Sequence, residues 1–283
     1  MPRLWPLLLC QMAAGARLMD GVAVKQVTSL TNPLVKAARG LHLRKAREES
    51  GTFLAEGLKI VTEAVDLGFR PKVLMFGPDA RQHPVLVRIA RLTAERGGEV
   101  VEVTRDILEK ISRRDNPQTV ISIFDQAIQP LDSLNTNAAA CWVALNAVRD
   151  PGNLGTIIRT ADSAGCGGVI LVGECCDPFS VEAVRATMGS IFAVPLFRVS
   201  EAEFAAWRAG WPGAVIGTLL TATDDFRAAP YRAPNLIVMG NEQQGLSPEI
   251  ARLCDVTVKI PMRGRADSLN LAVATGVMIY AIT

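Results

Sequence analysis

The chain has 283 residues, 30 of them Lys or Arg and 28 Asp or Glu, for a formal net charge of +2. Hydrophobic residues make up 49% and charged residues 20%, which excludes a disordered chain. No apolar run reaches the roughly 18 residues of a membrane-spanning helix. His42 and His83 are the only histidines, so aspartate, arginine and glycine chemistry has to carry the function.

The first residues, MPRLWPLLLCQM, carry one Arg and a short apolar centre that Pro6 interrupts. They read as an upstream extension or a misplaced start, with Met19 as another start; a signal peptide or a disordered tail are the alternatives. Residues 1–24 are therefore set aside from the fold.

From Lys25 to Asp125 there are 17 basic and 13 acidic residues, and from Gln126 to Thr283 there are 11 basic and 14 acidic. The first half is basic and the second acidic, which suggests two domains. Within the first, Asn32 to Arg47 reads NPLVKAARGLHLRKAR and contains no acid. Leu34, Val35, Ala38, Leu41 and Leu43 predict one helix after an Asn-Pro start. Its basic face (Lys36, Arg39, Arg44, Lys45 and Arg47) suits RNA phosphates or a solvated surface. Strands at Lys72–Phe76, Glu99–Val103 and Val120–Asp125 alternate with helices at Leu58–Leu67 and Pro84–Glu95, giving a small α/β domain over 25–125. Residues 126–140, with Pro130 and no periodicity, read as a linker.

The second domain, 141–283, alternates again. Strands are predicted at Trp142–Asn146, Gly168–Val172, Ala214–Leu219, Leu236–Met239 and Val256–Ile260. Helices are predicted at Leu154–Ala164, Val181–Met188, Glu201–Arg208 and Leu269–Ile282. This is the pattern of a mainly parallel sheet, whose ligands bind beyond the carboxyl ends of its strands.

Three clusters lie at those ends. NAVRDPGNLGTIIRTADSAG (146–165) turns at Asp150–Asn153 into a helix carrying Arg159, which makes either a phosphate or ribose site or a capped helix with a surface arginine. LIVMGNEQQGL (236–246) places Gly240, where backbone can approach a ligand, before Glu242, a partner for a cation or a loop acid. VKIPMRGRADSLNLAVA (258–274) ends a strand at Ile260, with Ser268 as the expected N-cap of the last helix and Asn270 in its first turn. No GxGxxG or GxxxxGK[ST] is present, which disfavours dinucleotide binding and excludes a P-loop. The six cysteines form no CxxC, and no metal is expected. Cys141 and Cys166 read as small core residues and Cys175-Cys176 as a loop feature, in keeping with a reducing cytoplasm.

In this order and spacing, the three clusters resemble the motifs of the SpoU/TrmH family of RNA ribose methyltransferases, within the knotted SPOUT superfamily. SLTNPLVKAARGL and GTFLAEGLKIVTEAV look like the substrate-binding domain often attached to that family. The resemblance implies an α/β domain with a C-terminal trefoil knot, preceded by a small α/β RNA-binding domain. It implies S-adenosylmethionine as methyl donor, held by Gly240, Ile260 and Leu269. It implies catalytic positions at Asn153, Arg159, Glu242, Ser268 and Asn270. Because a guanidinium does not readily lose its proton, Arg159 is read as a phosphate and oxyanion clamp. Asn153 and Asn270 would orient the attacking 2′-hydroxyl, Ser268 would bond or cap nearby, and Glu242 would brace Arg159 or the loop. The expected protein is a cytoplasmic homodimer acting on ribosomal RNA, with transfer RNA or a non-catalytic assembly role as alternatives.

Overall fold

The computed structural model describes residues 17–283, with side chains from Met19 on. The leader reading of Met1–Met12 falls outside the described residues. The chain divides into two compact units, one reaching to Gln126 and also including Phe179–Arg185, the other comprising Ala127–Pro178 and Ala186–Thr283.

The first unit contains strands β1 (Arg17–Met19), β2 (Val22–Val27), β3 (Thr52–Glu56), β4 (Val73–Phe76), β5 (Glu99–Val103) and β6 (Val120–Asp125). Its helices are α1 (Pro33–Gly40), α2 (Arg44–Ser50), α3 (Leu58–Asp66), α4 (Pro84–Glu95) and α5 (Arg105–Ser112). The sheet order is β1-β2-β5-β4-β6-β3. Asp20 (φ 49°) and Gly21 (φ 81°) make the two-residue turn of the β1-β2 hairpin. Residues 17–24 are thus part of this sheet, which corrects the reading that set all of 1–24 aside. Val35, Ala38 and Leu41 pack with Met75, Val101, Ile107 and Ile111 in an aliphatic core.

The single helix expected over Asn32–Arg47 is two. Asn32 caps α1 by accepting from Leu34 N, and Pro33 occupies its first position. Leu43 is extended ahead of α2 and exposed. Arg47 is buried, and its Nη1 donates to Leu41 O at 2.8 Å. The break thus turns one predicted basic side chain inward, where it satisfies a carbonyl freed by the end of α1.

The second unit contains β7 (Cys141–Asn146), β8 (Val169–Val172), β9 (Leu196–Val199), β10 (Val215–Thr218), β11 (Asp224–Asp225), β12 (Asn235–Met239) and β13 (Val256–Lys259). Its helical elements are α6 (Pro151–Ser163), α7 (Val181–Thr187, shared with the first unit), α8 (Glu201–Arg208), α9 (Pro248–Ala251) and α10 (Leu271–Tyr280). The sheet order is β11-β13-β10-β12-β7-β8-β9, and every pairing is parallel. Both faces of such a sheet are covered, so its strands are apolar runs rather than alternating ones. One face packs Trp142, Phe197, Phe204, Trp211 and Leu246 together; α10 packs on α6 and β12. Among the described residues, no helix is long and apolar enough to cross a membrane.

Candidate active site

Three sheet neighbours, β13, β10 and β12, end at Lys259, Thr218 and Met239, and β7, next to β12, ends at Asn146. The three predicted clusters leave the sheet at β7, β12 and β13. Asp150 caps α6 by accepting from Asn153 N at 2.6 Å, and Pro151 opens the helix. This anchors Asn153 in the first turn.

Beyond β12 the chain folds back on itself. Asn241 and Gly245 exchange two backbone hydrogen bonds of 2.9 Å, and Asn241 Nδ2 donates to Ala147 O at 2.8 Å. A Cβ at Gly240 would lie 2.1 Å from Gly245 C and 2.2 Å from Leu246 N. The missing side chain therefore makes room for the chain's own loop, where the sequence reading assigned the space to a ligand.

This loop aims Glu242 at the turn before α6. One carboxylate oxygen accepts from Arg149 N at 3.2 Å; the other accepts from Asp150 N at 3.1 Å and Asn153 Nδ2 at 3.2 Å. Burial opposes the Glu242 charge, but the hydrogen bonds from its own backbone, Asn153, Arg149 and Asp150 outweigh it and hold the carboxyl below its usual range. Of the two roles the sequence left open for Glu242, the structure shows the loop brace. The Arg159 guanidinium is exposed and makes no hydrogen bond or ion pair among the described residues.

The third cluster joins through Asn270. Its Nδ2 donates to Asn153 Oδ1 at 2.9 Å, and its Oδ1 accepts from Ala272 N at 2.9 Å and Val273 N at 3.3 Å. Asn270 is therefore the N-cap of α10, which corrects the assignment of that role to Ser268. Ser268 is exposed, and its hydroxyl donates to Asp267 Oδ1 at 3.1 Å. A capping side chain must fall just before the first helical residue, and α10 begins two residues later than the periodicity suggested.

The result is one connected chain, Glu242–Asn153–Asn270, across three loops. Each amide keeps one N–H that no described group accepts, while both Glu242 oxygens are already engaged. The cluster can thus offer donors to a developing oxyanion and holds no free base. Ile260 and Leu269 are partly exposed at the same end of the sheet. Thr218 Oγ1, at the end of β10, is buried without a hydrogen-bond partner. Among the described residues no group of three His, Cys, Asp or Glu could hold a metal.

The model of the SpoU rRNA Methylase family matches residues 140–280, and that of the MRM3-like substrate binding domain matches 32–122. The 23S rRNA (guanosine(2553)-2'-O)-methyltransferase RlmP of Bacillus subtilis is 30% identical, over 91% of this chain and 98% of its own. This chain belongs to the SpoU rRNA methylase family. An AdoMet-bound rRNA methyltransferase from Sinorhizobium meliloti is 49% identical, with a TM-score of 0.86 over 92% of this chain and 97% of that one. AviRb of Streptomyces viridochromogenes, solved with the cofactor AdoMet, is 29% identical, with a TM-score of 0.77 over 89% and 97%. As a SpoU methyltransferase, the chain uses S-adenosylmethionine. The strand ends fit that group: apolar Ile260 and Leu269 can cover adenine, and Thr218 offers a polar atom that the protein leaves unused.

In the first unit, Arg44 pairs with Glu48 at 2.7 Å and Lys45 with Glu49 at 3.9 Å. Lys36 and Arg39 are exposed on α1, with no carboxylate partner among the described residues. Arg113 and Arg114, outside the basic face predicted from the sequence, are exposed after α5. His42 lies beside them, its Nε2 2.6 Å from Ile111 O. Burial lowers the His42 pKa, the bond to Ile111 opposes this, and the Arg113 charge adds to the lowering. No helical period links Arg113 to α1; the packing of α1 on α5 does.

Proposed function

We propose that this protein transfers the methyl group of S-adenosylmethionine to a ribose 2′-hydroxyl of ribosomal RNA. The observation that carries the reading is the Glu242–Asn153–Asn270 chain, which gathers all three motif loops at the carboxyl ends of the strands. S-adenosylmethionine supplies an electrophilic methyl on a sulfonium. Gly240, Ile260 and Leu269 hold it, Gly240 through the shape of its loop. Asn153 and Asn270 present N–H groups to the attacking oxygen as its proton passes to water and the C–S bond to the sulfonium breaks, and Glu242 fixes their orientation. Arg159, free of a carboxylate, clamps the flanking phosphate and the developing charge. Ser268 stands at the entrance of α10, close to Asn270 in the chain.

The unit that reaches to Gln126 and includes the β1-β2 hairpin serves as the RNA-binding domain, and the unit over Ala127–Pro178 and Ala186–Thr283 as the methyltransferase domain, which takes in the 126–140 stretch expected as a linker from Ala127 on. Lys36 and Arg39 are the phosphate contacts of the first, joined by Arg113 and Arg114. The trefoil knot belongs to the same reading: after β13 the chain runs without regular structure from Ile260 to Asn270 and returns to pack α10 on α6 and β12. The protein works as a cytoplasmic homodimer. In support, α10 is apolar on all sides, yet its Val273 and Tyr280 stand exposed two turns apart on one face. A second copy covers that face.

The test is to map ribose methylation across total RNA with and without the protein, with nucleoside mass spectrometry to identify the product. A single 2′-O-methyl nucleoside of ribosomal RNA that depends on the protein is expected. An unchanged ribosomal map, a methylated base, or a transfer RNA site would overturn this reading.

A further inference from the structure

Arg149 occupies the turn between β7 and α6, and the backbone on both sides of it is pinned. Ala147, with φ 54°, holds a conformation that residues with a side chain rarely adopt. Its N–H donates to Val172 O at 3.1 Å, and its carbonyl accepts from Asn241 Nδ2 at 2.8 Å. Val148 O accepts from Cys176 N at 2.7 Å, and Arg149 N and Asp150 N both donate to Glu242. Each of four consecutive residues, Ala147 to Asp150, is thus tied by its backbone, as a strained turn at a functional site requires.

The Arg149 side chain takes no part in these bonds. It is exposed, and its guanidinium makes no hydrogen bond or ion pair among the described residues. The two nearest acids are engaged by N–H groups: Asp150 Oδ1 accepts from Asn153 N, and Glu242 accepts from the turn itself. Elsewhere in the second unit arginines have partners. Arg198, Arg208, Arg227 and Arg252 pair with Asp177, Asp255, Asp225 and Glu249, and Arg232 donates to Gly213 O. Arg263 acts on Asp225 through its charge. Arg149, Arg159 and Arg265 have no such partner among the described residues, and all three lie in the first and third motif clusters.

An arginine on a fixed turn loses less freedom on binding than one on a mobile loop, and its planar fork matches a phosphate. From Gln126 to Thr283 the chain has 11 basic and 14 acidic residues, so a polyanion has to be held there by local groups. A ribose within an RNA chain carries a phosphodiester on each side, and Arg159 accounts for one of them.

We propose that Arg149 is a substrate-positioning residue that holds a second RNA phosphate, on the other side of the target ribose from the one held by Arg159. The proposal rests on the reading of ribosomal RNA as substrate and of Arg159 as a phosphate clamp. It gives the Glu242 brace a second effect: besides orienting Asn153, the brace fixes the turn under a phosphate contact.

The experiment compares Arg149→Ala, Arg149→Lys and Arg252→Ala with the unchanged protein, using ribosomal RNA made by transcription and therefore free of methyl groups. Titrations at several salt concentrations give RNA affinity and its salt dependence. Single-turnover transfer from S-adenosylmethionine at saturating RNA gives the rate, while melting curves and S-adenosylhomocysteine calorimetry report the fold and the donor site. Arg149→Ala should bind RNA about tenfold more weakly, the loss of a charge-assisted hydrogen bond. Its log–log salt slope should be shallower by roughly one. Melting and S-adenosylhomocysteine binding should not change, and the saturated rate should stay within about threefold, because a contact made equally before and in the transition state changes affinity rather than rate. Arg149→Lys should keep the slope and recover only part of the affinity. Arg252→Ala, the same charge change at an arginine paired with Glu249, should bind RNA normally. If Arg149→Ala and the unchanged protein bind RNA alike and both methylate it, the proposal fails while the ribosomal RNA reading stands. Equal losses in Arg149→Ala and Arg252→Ala would trace the effect to net charge and overturn the proposal too. If the unchanged protein methylates no ribosomal RNA, that reading fails and the proposal with it.

Discussion

Asn270 donates to Asn153 at 2.9 Å across 117 residues of sequence, and the same side chain caps α10. One amide thus ends a loop, starts a helix and orients a second amide in the first motif. Its two ends do different work: the oxygen serves stability and the nitrogen serves the site.

Asn270→Asp separates them. A carboxylate caps a helix as well as an amide does, but has no N–H to give Asn153. The variant should melt near the unchanged protein and lose about 10²-fold or more in single-turnover rate, the usual effect of a lost oxyanion-type donor. Asn270→Ala should lose both, with about 1 kcal/mol of stability gone with the cap. An Asn270→Asp protein of full activity would remove the N–H from the mechanism.

Glu242 has to be charged to accept from Arg149, Asp150 and Asn153 together. Its carboxyl is held below its ordinary value. The sign follows: the stabilisation is complete above the carboxyl's unfolded pKa and is lost as pH falls through the folded one. Stability should therefore drop on acidification in the unchanged protein and drop less in Glu242→Gln. Glu242→Gln itself should cost about 1 kcal/mol at neutral pH, because its NH2 meets an N–H in place of an acceptor. Melting curves across pH 3–7, together with carboxyl-carbon NMR, measure both effects.

Arg159 is exposed and without a carboxylate partner, so Arg159→Ala should leave the melting temperature and donor affinity almost unchanged. Methyl transfer at saturating RNA and donor should fall by about 10²-fold or more. Arg159→Lys should recover only part, since an ammonium lacks the planar fork. A near-normal rate for Arg159→Ala would leave it a surface residue on a capped helix.

The basic residues of the first unit should separate by environment. Reversing Lys36 and Arg39 should weaken RNA binding and make its salt dependence shallower by roughly one log–log unit per lost contact. Reversing Arg44 and Lys45, which are already paired on α2, should do less. Arg47→Ala should lower the melting temperature, because it frees a carbonyl in the interior. RNA titrations at several salt concentrations, read beside melting curves, distinguish these outcomes. Equal effects from the α1 and α2 pairs would show that the break between the helices does not matter to RNA.

The sequence made the second unit readable because parallel strands buried on both faces are short apolar runs between helices. All five strands it marked there are present, within a residue or two. β1, β2, β3, β9 and β11 escaped notice. Thr52–Glu56 mixes Thr and Glu into a buried strand, and Glu56 is bonded there by Arg185 Nη2 at 2.6 Å, a partner no local pattern announces. Leu196–Val199 contains an exposed Arg and is an edge strand. The break at Leu41–Leu43 was hidden because the apolar residues on either side still fit a helical period.

By itself the sequence determined the five strands that carry the second sheet, the family, the methyl donor and the residue types of the site, because the motifs are contiguous and their loops follow predictable strands. Only the tertiary structure decided which group bonds which. Glu242 braces the turn before α6 rather than Arg159, Asn270 rather than Ser268 caps α10, and Gly240 is small for its own loop. For the links between the motifs the physical reason is distance along the chain: Glu242–Asn153 and Asn270–Asn153 join residues 89 and 117 positions apart, while the cap and the Gly240 loop are local contacts set by where an element ends. Propensity and periodicity act over a few residues, whereas hydrogen-bond partners are chosen by which strand ends the sheet places side by side.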